Sequence, residues 1–147
     1  MNKNFLLVFI LFATLSAVNS LPHKHDKRIS AIKWTTCFDI PKLNVVANDP
    51  VEGQKDTFTV SGPIPSDINA NDKLYMIFID IDDPTRIFKF LTDVCGAKGL
   101  PQCPIKGGAQ FDVNITLTIP TFSGSFIIYA MIGNKHDGTL GCAYTNI

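Results

Sequence analysis

Seven short apolar segments, separated by turn residues about every dozen positions, predict an all-β fold: an antiparallel β-sandwich of immunoglobulin-like topology. No stretch carries sustained helical periodicity, and four cysteines stand ready to staple a domain of this size. The chain has 147 residues, 46% apolar and 18% charged, which is the balance of one domain folding around a core. Thirteen basic and thirteen acidic side chains cancel, so no surplus charge is available for a nucleic-acid backbone, and nucleic acid is not an expected partner.

The strands expected are residues 42–47, 57–61, 74–81, 87–91, 110–119, 126–132 and 140–145. Asp49-Pro50, Gly62-Pro63, Asp83-Pro84, Gly107-Gly108, Ser123-Gly124 and Asp137-Gly138 punctuate them. The Cys-Trp-Cys order of true immunoglobulin domains is absent, because the single Trp34 precedes the first cysteine. Strict alternation over residues 110–119 turns Phe111, Val113, Ile115, Leu117 and Ile119 inward. Asn114 and Thr116 then face water, and they form the sequon Asn114-Ile115-Thr116, an expected glycosylation site. Phe58 and Val60 share one face, as do Phe126, Ile128, Ala130 and Ile132. Residues 74–81 are apolar in both phases. Asp80 and Asp82 fall in register with Leu74, Met76 and Phe78, and because burying two carboxylates is costly, Tyr75, Ile77, Ile79 and Ile81 are expected inward. Phe88 and Phe90 add two rings with Lys89 facing water between them. This phenylalanine-rich interior either fills a solid core or lines a gap that an apolar ligand occupies.

The N-terminus is built differently. Lys3, a nearly continuous apolar run over residues 5–18, and small residues up to Ser20 have the layout of a secretory signal peptide spanning residues 1–20. A membrane anchor is the competing reading, but the run falls short of the ~20 residues needed to span a bilayer. Residues 21–28 end in Lys27-Arg28, the pair a kexin-like secretory protease cuts, and read as a short pro-segment or as a solvated tail. The domain proper is then residues 29–147, with nine basic and twelve acidic residues and one histidine, His136.

All four cysteines, Cys37, Cys95, Cys103 and Cys142, lie in that domain, and an even count in an exported chain reads as two disulfides. Zinc is the competing use, but seven residues separate Cys95 from Cys103 where zinc sites offer shorter spacers. Three pairings are formally open. Cys95 and Cys103 bracket a stretch with Gly96, Gly99 and Pro101 and suit a local staple, which leaves Cys37 for Cys142 across the domain.

Several loop and strand features now combine. A first cysteine near the start of the domain precedes Asn48-Asp49-Pro50-Val51-Glu52-Gly53 and a strand ending Val60-Ser61-Gly62; there follow Leu91-Thr92-Asp93-Val94-Cys95, Cys103-Pro104-Ile105-Lys106-Gly107-Gly108, an alternating strand ending Ile119-Pro120, and Cys142. Over residues 34–147 this pattern resembles the ML domain, the MD-2-related lipid-recognition family. Its members include Niemann-Pick C2 sterol carriers and fungal phosphatidylglycerol/phosphatidylinositol transfer proteins, and size, export signal and Lys-Arg site make the fungal branch the nearest match. The resemblance implies a sandwich whose sheets splay to hold a lipid between them, with first-to-last and local-loop disulfides. The extra N-terminal disulfide of six-cysteine relatives is missing here.

The function expected is therefore that of a lipid-binding and lipid-transfer protein, secreted or in a vacuole or endolysosomal lumen, carrying a phospholipid or sterol as a monomer with transient membrane contact. It needs no cofactor and no metal. The cavity would be lined by Phe58, Val60, Tyr75, Ile77, Ile79, Phe88, Phe90, Phe111, Val113, Ile115, Leu117, Phe126, Ile128, Ala130 and Ile132. Ile64, between Pro63 and Pro65, is a loop residue able to dip into a membrane. Catalysis is not expected: there is no Gly-x-Ser-x-Gly elbow, and His136 sits in a hairpin-like Asn134-Lys135-His136-Asp137-Gly138. Asp80, Asp82 and Asp83 lack the glycine and terminal glutamate of a calcium loop. The rival reading is a secreted recognition module that binds a protein partner and has a packed core.

Overall fold

The computed structural model describes residues 32–147, so the signal peptide and the Lys27-Arg28 site expected from the sequence lie outside the described residues. Eight strands follow in order: β1 (Thr35–Thr36), β2 (Asn44–Val46), β3 (Lys55–Gly62), β4 (Lys73–Asp80), β5 (Ile87–Asp93), β6 (Phe111–Thr118), β7 (Phe126–Asn134) and β8 (Gly138–Asn146). They form a five-stranded sheet in the order β1-β8-β7-β4-β5 and a three-stranded sheet in the order β2-β3-β6, with every strand pair antiparallel. The predicted β-sandwich is the fold observed. β1 is additional to the seven strands expected, since two residues are too few for alternation to register. β2 is shorter than expected because Lys42 makes only an isolated bridge to Cys142.

Alternation places the core. β3 buries Phe58 and Val60, β6 buries Phe111, Val113, Ile115 and Leu117, and β7 buries Phe126, Ile128, Ala130 and Ile132. Phe58 of the smaller sheet meets Phe78 of the larger one edge-on, ring centroids 6.2 Å apart, and Trp34 packs edge-on against Phe58 at 6.5 Å. Edge-to-face geometry sets the electropositive rim of one ring on the electronegative face of the next, so these contacts add to the burial of apolar area.

β4 corrects one expectation. Leu74, Met76, Phe78 and Asp80 point inward, whereas Tyr75, Ile77 and Ile79 stand on the outer face and Ile81 is exposed beyond the strand. Register dictates this phase, because Met76 pairs with Ala130 and Phe78 with Ile128, two β7 residues that can only face the core. The cost expected of burying two carboxylates does not arise, because only one of the two acids is buried. Asp82 lies past the end of β4 and is exposed. Asp80 is 0% exposed, and its carboxylate accepts hydrogen bonds from the backbone N–H groups of Asp82 (3.0 Å), Asp83 (3.2 Å) and Ser123 (3.1 Å) and from Arg86 Nη1 (3.3 Å). The Ser123 bond chiefly, with those from Asp83 and Asp82, holds this carboxyl below its ordinary range against the opposing effect of desolvation.

The phase of β4 leaves an apolar outer face on the larger sheet. Across the strands it reads Leu91-Tyr75-Met131, Lys89-Ile77-Tyr129-Tyr144 and Ile87-Ile79-Ile127. A water-facing antiparallel sheet would instead be polar on this side.

Two disulfides tie the chain, Cys37 to Cys142 and Cys95 to Cys103. The first spans 105 residues and fastens the start of the domain to β8, where Leu43 N donates to Cys142 O (3.3 Å) and Cys142 N to Pro41 O (2.9 Å). Replacing both Cys37 and Cys142 with alanine is expected to cost about 2–5 kcal/mol, the usual loss when a small exported domain gives up a native bridge. Denaturant titration measures it, and an unchanged midpoint would show that the backbone bonds hold this flank alone. Asp80→Asn should also destabilise the fold. Because the folded-state pKa lies below the ordinary value of 3.8, Asp80 contributes its stabilisation fully above that pH and loses it as the pH falls through the lower folded value. The gap between wild type and variant in urea should therefore be wide at neutral pH and close in acid; a gap independent of pH would refute the assignment.

Candidate functional site

The two flanks of the sandwich differ. On one, the edge strands β1 and β2 lie beside the Cys37–Cys142 bridge and its backbone bonds. On the other, the edges are β5 and β6. The inward rings of β5, Phe88 and Phe90, pack on the core but stay only partly buried, in contrast to the buried inward residues of β6. Phe122, in the loop between β6 and β7, stacks on Phe126 at 4.3 Å and meets Phe88 edge-on at 5.7 Å, and Phe78 meets Phe90 edge-on at 5.8 Å. An apolar interior therefore reaches the surface along β5 through a cluster of phenylalanines.

Twelve of the fifteen expected lining residues face this interior: Phe58, Val60, Phe88, Phe90, Phe111, Val113, Ile115, Leu117, Phe126, Ile128, Ala130 and Ile132. Tyr75, Ile77 and Ile79 do not, for the reason of register given above, and Leu74, Met76 and Phe78 take their places. Sequence reasoning also missed Trp34, Leu43 and Phe122. The first two lie beside or within strands too short to show a period, and Phe122 sits in a loop where no period exists.

Among the described residues, two buried side-chain polar atoms have no hydrogen-bond partner: Trp34 Nε1 and Asp56 Oδ2, on residues each 8% exposed. Both adjoin Phe58. Trp34 touches its ring, and Asp56 precedes it by two residues on the same face of β3. A buried donor and a buried acceptor left unpaired are costly to a fold, and they are groups to which a polar ligand atom can bind. Nothing in the hydropathy pattern distinguished Asp56 from an outward-facing acid at a strand end.

The segment Cys103-Pro104-Ile105-Lys106-Gly107-Gly108 acts as a clamp. Cys103 is bonded to Cys95, Ile105 exchanges backbone hydrogen bonds with Ile68, and Lys106 Nζ and Gly107 N reach the two oxygens of Asp67 at 2.9 and 2.8 Å. Those two bonds, Lys106 foremost, hold the Asp67 carboxyl below its ordinary range. Gly107 is required by close approach: a Cβ there would lie 2.1 Å from Pro65 O. The clamp folds the loop between β3 and β4 inward, so Ile64 is 2% exposed and packs beside Leu43 at Gly141. Its expected exposure as a membrane-dipping tip is corrected accordingly; the flanking prolines shaped the loop, while the isoleucine anchored it.

His136 lies in the β7–β8 hairpin, where its backbone N–H and that of Asp137 donate to Asn134 Oδ1 at 2.7 and 2.8 Å. Asp80 directs its oxygens at N–H groups, and among the described residues no group of three or more His, Cys, Asp or Glu is poised to hold a metal ion.

Comparison with known proteins agrees with this architecture. No curated protein matches the chain in sequence. Among solved structures, the chain is similar to chicken MD-1 complexed with lipid IVa, with a TM-score of 0.51 and 15% identity over 77% of this chain and 86% of that one, a likeness of fold. The family model of the ML domain matches residues 31–147, the whole of the stapled sandwich, and the chain therefore belongs to the ML domain family.

Proposed function

We propose that this protein carries a single lipid, a phospholipid or sterol, between its sheets and transfers it between membranes. Membership in the ML domain family supports lipid binding in general, as does the lipid-bound state of the MD-1 structure it resembles. The observation that carries the reading is the asymmetry of the flanks: one is closed by a disulfide, and the other ends in the partly buried rings Phe88 and Phe90. Carriage is a solvation problem, since an acyl chain or sterol ring leaves a bilayer only if the protein replaces its apolar surroundings, at ~0.8 kcal/mol per buried methylene. On this reading a tail enters between β5 and β6, and the ring cluster around Phe122 yields to it. Trp34 Nε1 and Asp56 Oδ2 are then the interior groups that meet a polar atom of the ligand.

Two disulfides and the signal-peptide layout support secretion or residence in a vacuole or endolysosomal lumen, with the protein acting as a monomer. Asn114 is exposed on the outer face of the smaller sheet, where a glycan would point away from the interior between the sheets. The contact of Phe58 with Phe78 favours the rival reading of a packed recognition module, which the same experiment decides.

Trp34 is the only tryptophan and lies in the proposed site, so its fluorescence reports loading directly. Adding sterol or phospholipid from a micellar stock is expected to shift Trp34 emission and saturate at one lipid per chain. Phe90→Asp, at the partly buried entrance, should weaken uptake at least about tenfold, because it sets a charge in the path of an apolar tail; since the ring packs on Phe78, a urea titration alongside checks that the variant is folded. No spectral change with any sterol or phospholipid would overturn the carrier reading in favour of the packed module.

A further inference from the structure

Among the described residues three aspartates are buried, Asp56, Asp72 and Asp80, and their carboxylates are not equally provided for. Both oxygens of Asp80 accept hydrogen bonds. Both of Asp72 do as well, Oδ1 from Asn134 Nδ2 at 2.5 Å and Oδ2 from the backbone N–H of Asn69 at 2.7 Å. At Asp56 only Oδ1 is engaged, by Thr57 N at 2.7 Å; that bond fixes how the carboxylate is turned, and Oδ2 accepts from no described residue. Trp34 Nε1 is a buried donor in the same condition.

The two groups come from opposite sheets. Trp34 immediately precedes β1, an edge strand of the five-stranded sheet, and Asp56 lies on the inner face of β3 in the three-stranded sheet, with Phe58 next to both. A row of edge-on rings leads to them. Phe90 meets Phe78 at 5.8 Å, Phe78 meets Phe58 at 6.2 Å, and Phe58 meets Trp34 at 6.5 Å. The row thus runs from β5, where the proposed entrance lies, to the residue that borders β1 on the opposite flank.

The chemistry of the pair selects the ligand atom. A group that answers both must donate to a carboxylate oxygen and accept from an indole N–H, and a hydroxyl does both with one oxygen. An ionised phosphate cannot donate, and beside Asp56 it would set like charges together where their repulsion is little screened. A phospholipid entering tail first brings only methylenes to this depth and leaves both groups unmet. An ammonium group donates but offers Trp34 nothing.

We propose that the site takes an uncharged lipid alcohol, admitted with its hydroxyl leading, and that this hydroxyl donates to Asp56 Oδ2 and accepts from Trp34 Nε1. The inference rests on the carrier reading and narrows it: a sterol or a single-chain alcohol qualifies, and a diacyl phospholipid does not.

The test offers the protein, as its host produces it, an excess of one lipid at a time from micelles: cholestanol, cholestanone, cholestanol methyl ether, hexadecanol, hexadecyl methyl ether or phosphatidylcholine. Bound lipid is read by native mass spectrometry, which does not depend on Trp34. The ketone and the ethers keep an acceptor for Trp34 and lose the proton that Asp56 requires. At least one alcohol should bind at least about tenfold more tightly than its ether, the usual worth of a hydrogen bond to a charged group, and cholestanone should bind like the ethers. Either alcohol preferred in this way supports the proposal, and the tighter of the two names the lipid. Trp34→Phe, which keeps a ring against Phe58, should lower alcohol binding about fivefold. Asp56→Asn, whose amide donates as well as accepts, should erase the preference for alcohol over ketone. Urea titration checks that both variants are folded, and the lipid series on the unaltered protein decides without them. A ketone, ether or phosphatidylcholine bound as tightly as the alcohols would overturn the proposal and leave the carrier reading standing. A preference that folded Asp56→Asn retains would overturn it too. Binding of none of the lipids would overturn the carrier reading, and this inference with it.

Discussion

The burial of one carboxylate fixes the rest of the molecule. Asp80 ends β4 inside the sandwich, and because side chains alternate along a strand, its position commits Phe78, Met76 and Leu74 to the interior and Ile79, Ile77 and Tyr75 to the outside. A slip by one residue would exchange the two sets and break the pairing of Phe78 with Ile128. The cost of taking a charge out of water is met by three backbone N–H groups and Arg86, and these come from the turn after β4 and from the loop that carries Phe122. The same network therefore orders the phenylalanine cluster next to it. Arg86 extends the link by donating to Thr121 O at 2.9 Å and Ser123 Oγ at 3.1 Å.

With that phase set, the architecture becomes directional. The Cys37–Cys142 bridge and the backbone bonds around Leu43 hold one flank, and the Cys95–Cys103 loop with the Asp67–Lys106 clamp fixes the connection from β5 to β6. Between β5 and β6 no such covalent tie runs among the described residues, and there the interior reaches the surface through aromatic rings.

Most of this was legible in the sequence where alternation was clean. β6 and β7 buried the residues expected of them, and turn residues marked nearly every strand boundary. What could not be read depended on partners distant in sequence. β4 is apolar on both faces, so its phase is set by β7 and by hydrogen bonds to Asp80 from Ser123, 43 residues away, and not by its own composition. Ile64 looked like an exposed tip because its prolines announce a loop, yet Lys106 and Gly107 pull that loop onto the core. Asp56 falls outside the strand expected at residues 57–61, and only the longer β3 places it two residues before Phe58 on the inner face.

If the interior between the sheets accepts a lipid, the protein from its own host should carry one. Native mass spectrometry of the protein from its own host, followed by organic extraction and identification of whatever is released, tests it most directly. A mass excess matching one sterol or phospholipid per chain is the result predicted. A ligand-free chain that also refuses added sterol and phospholipid would contradict it.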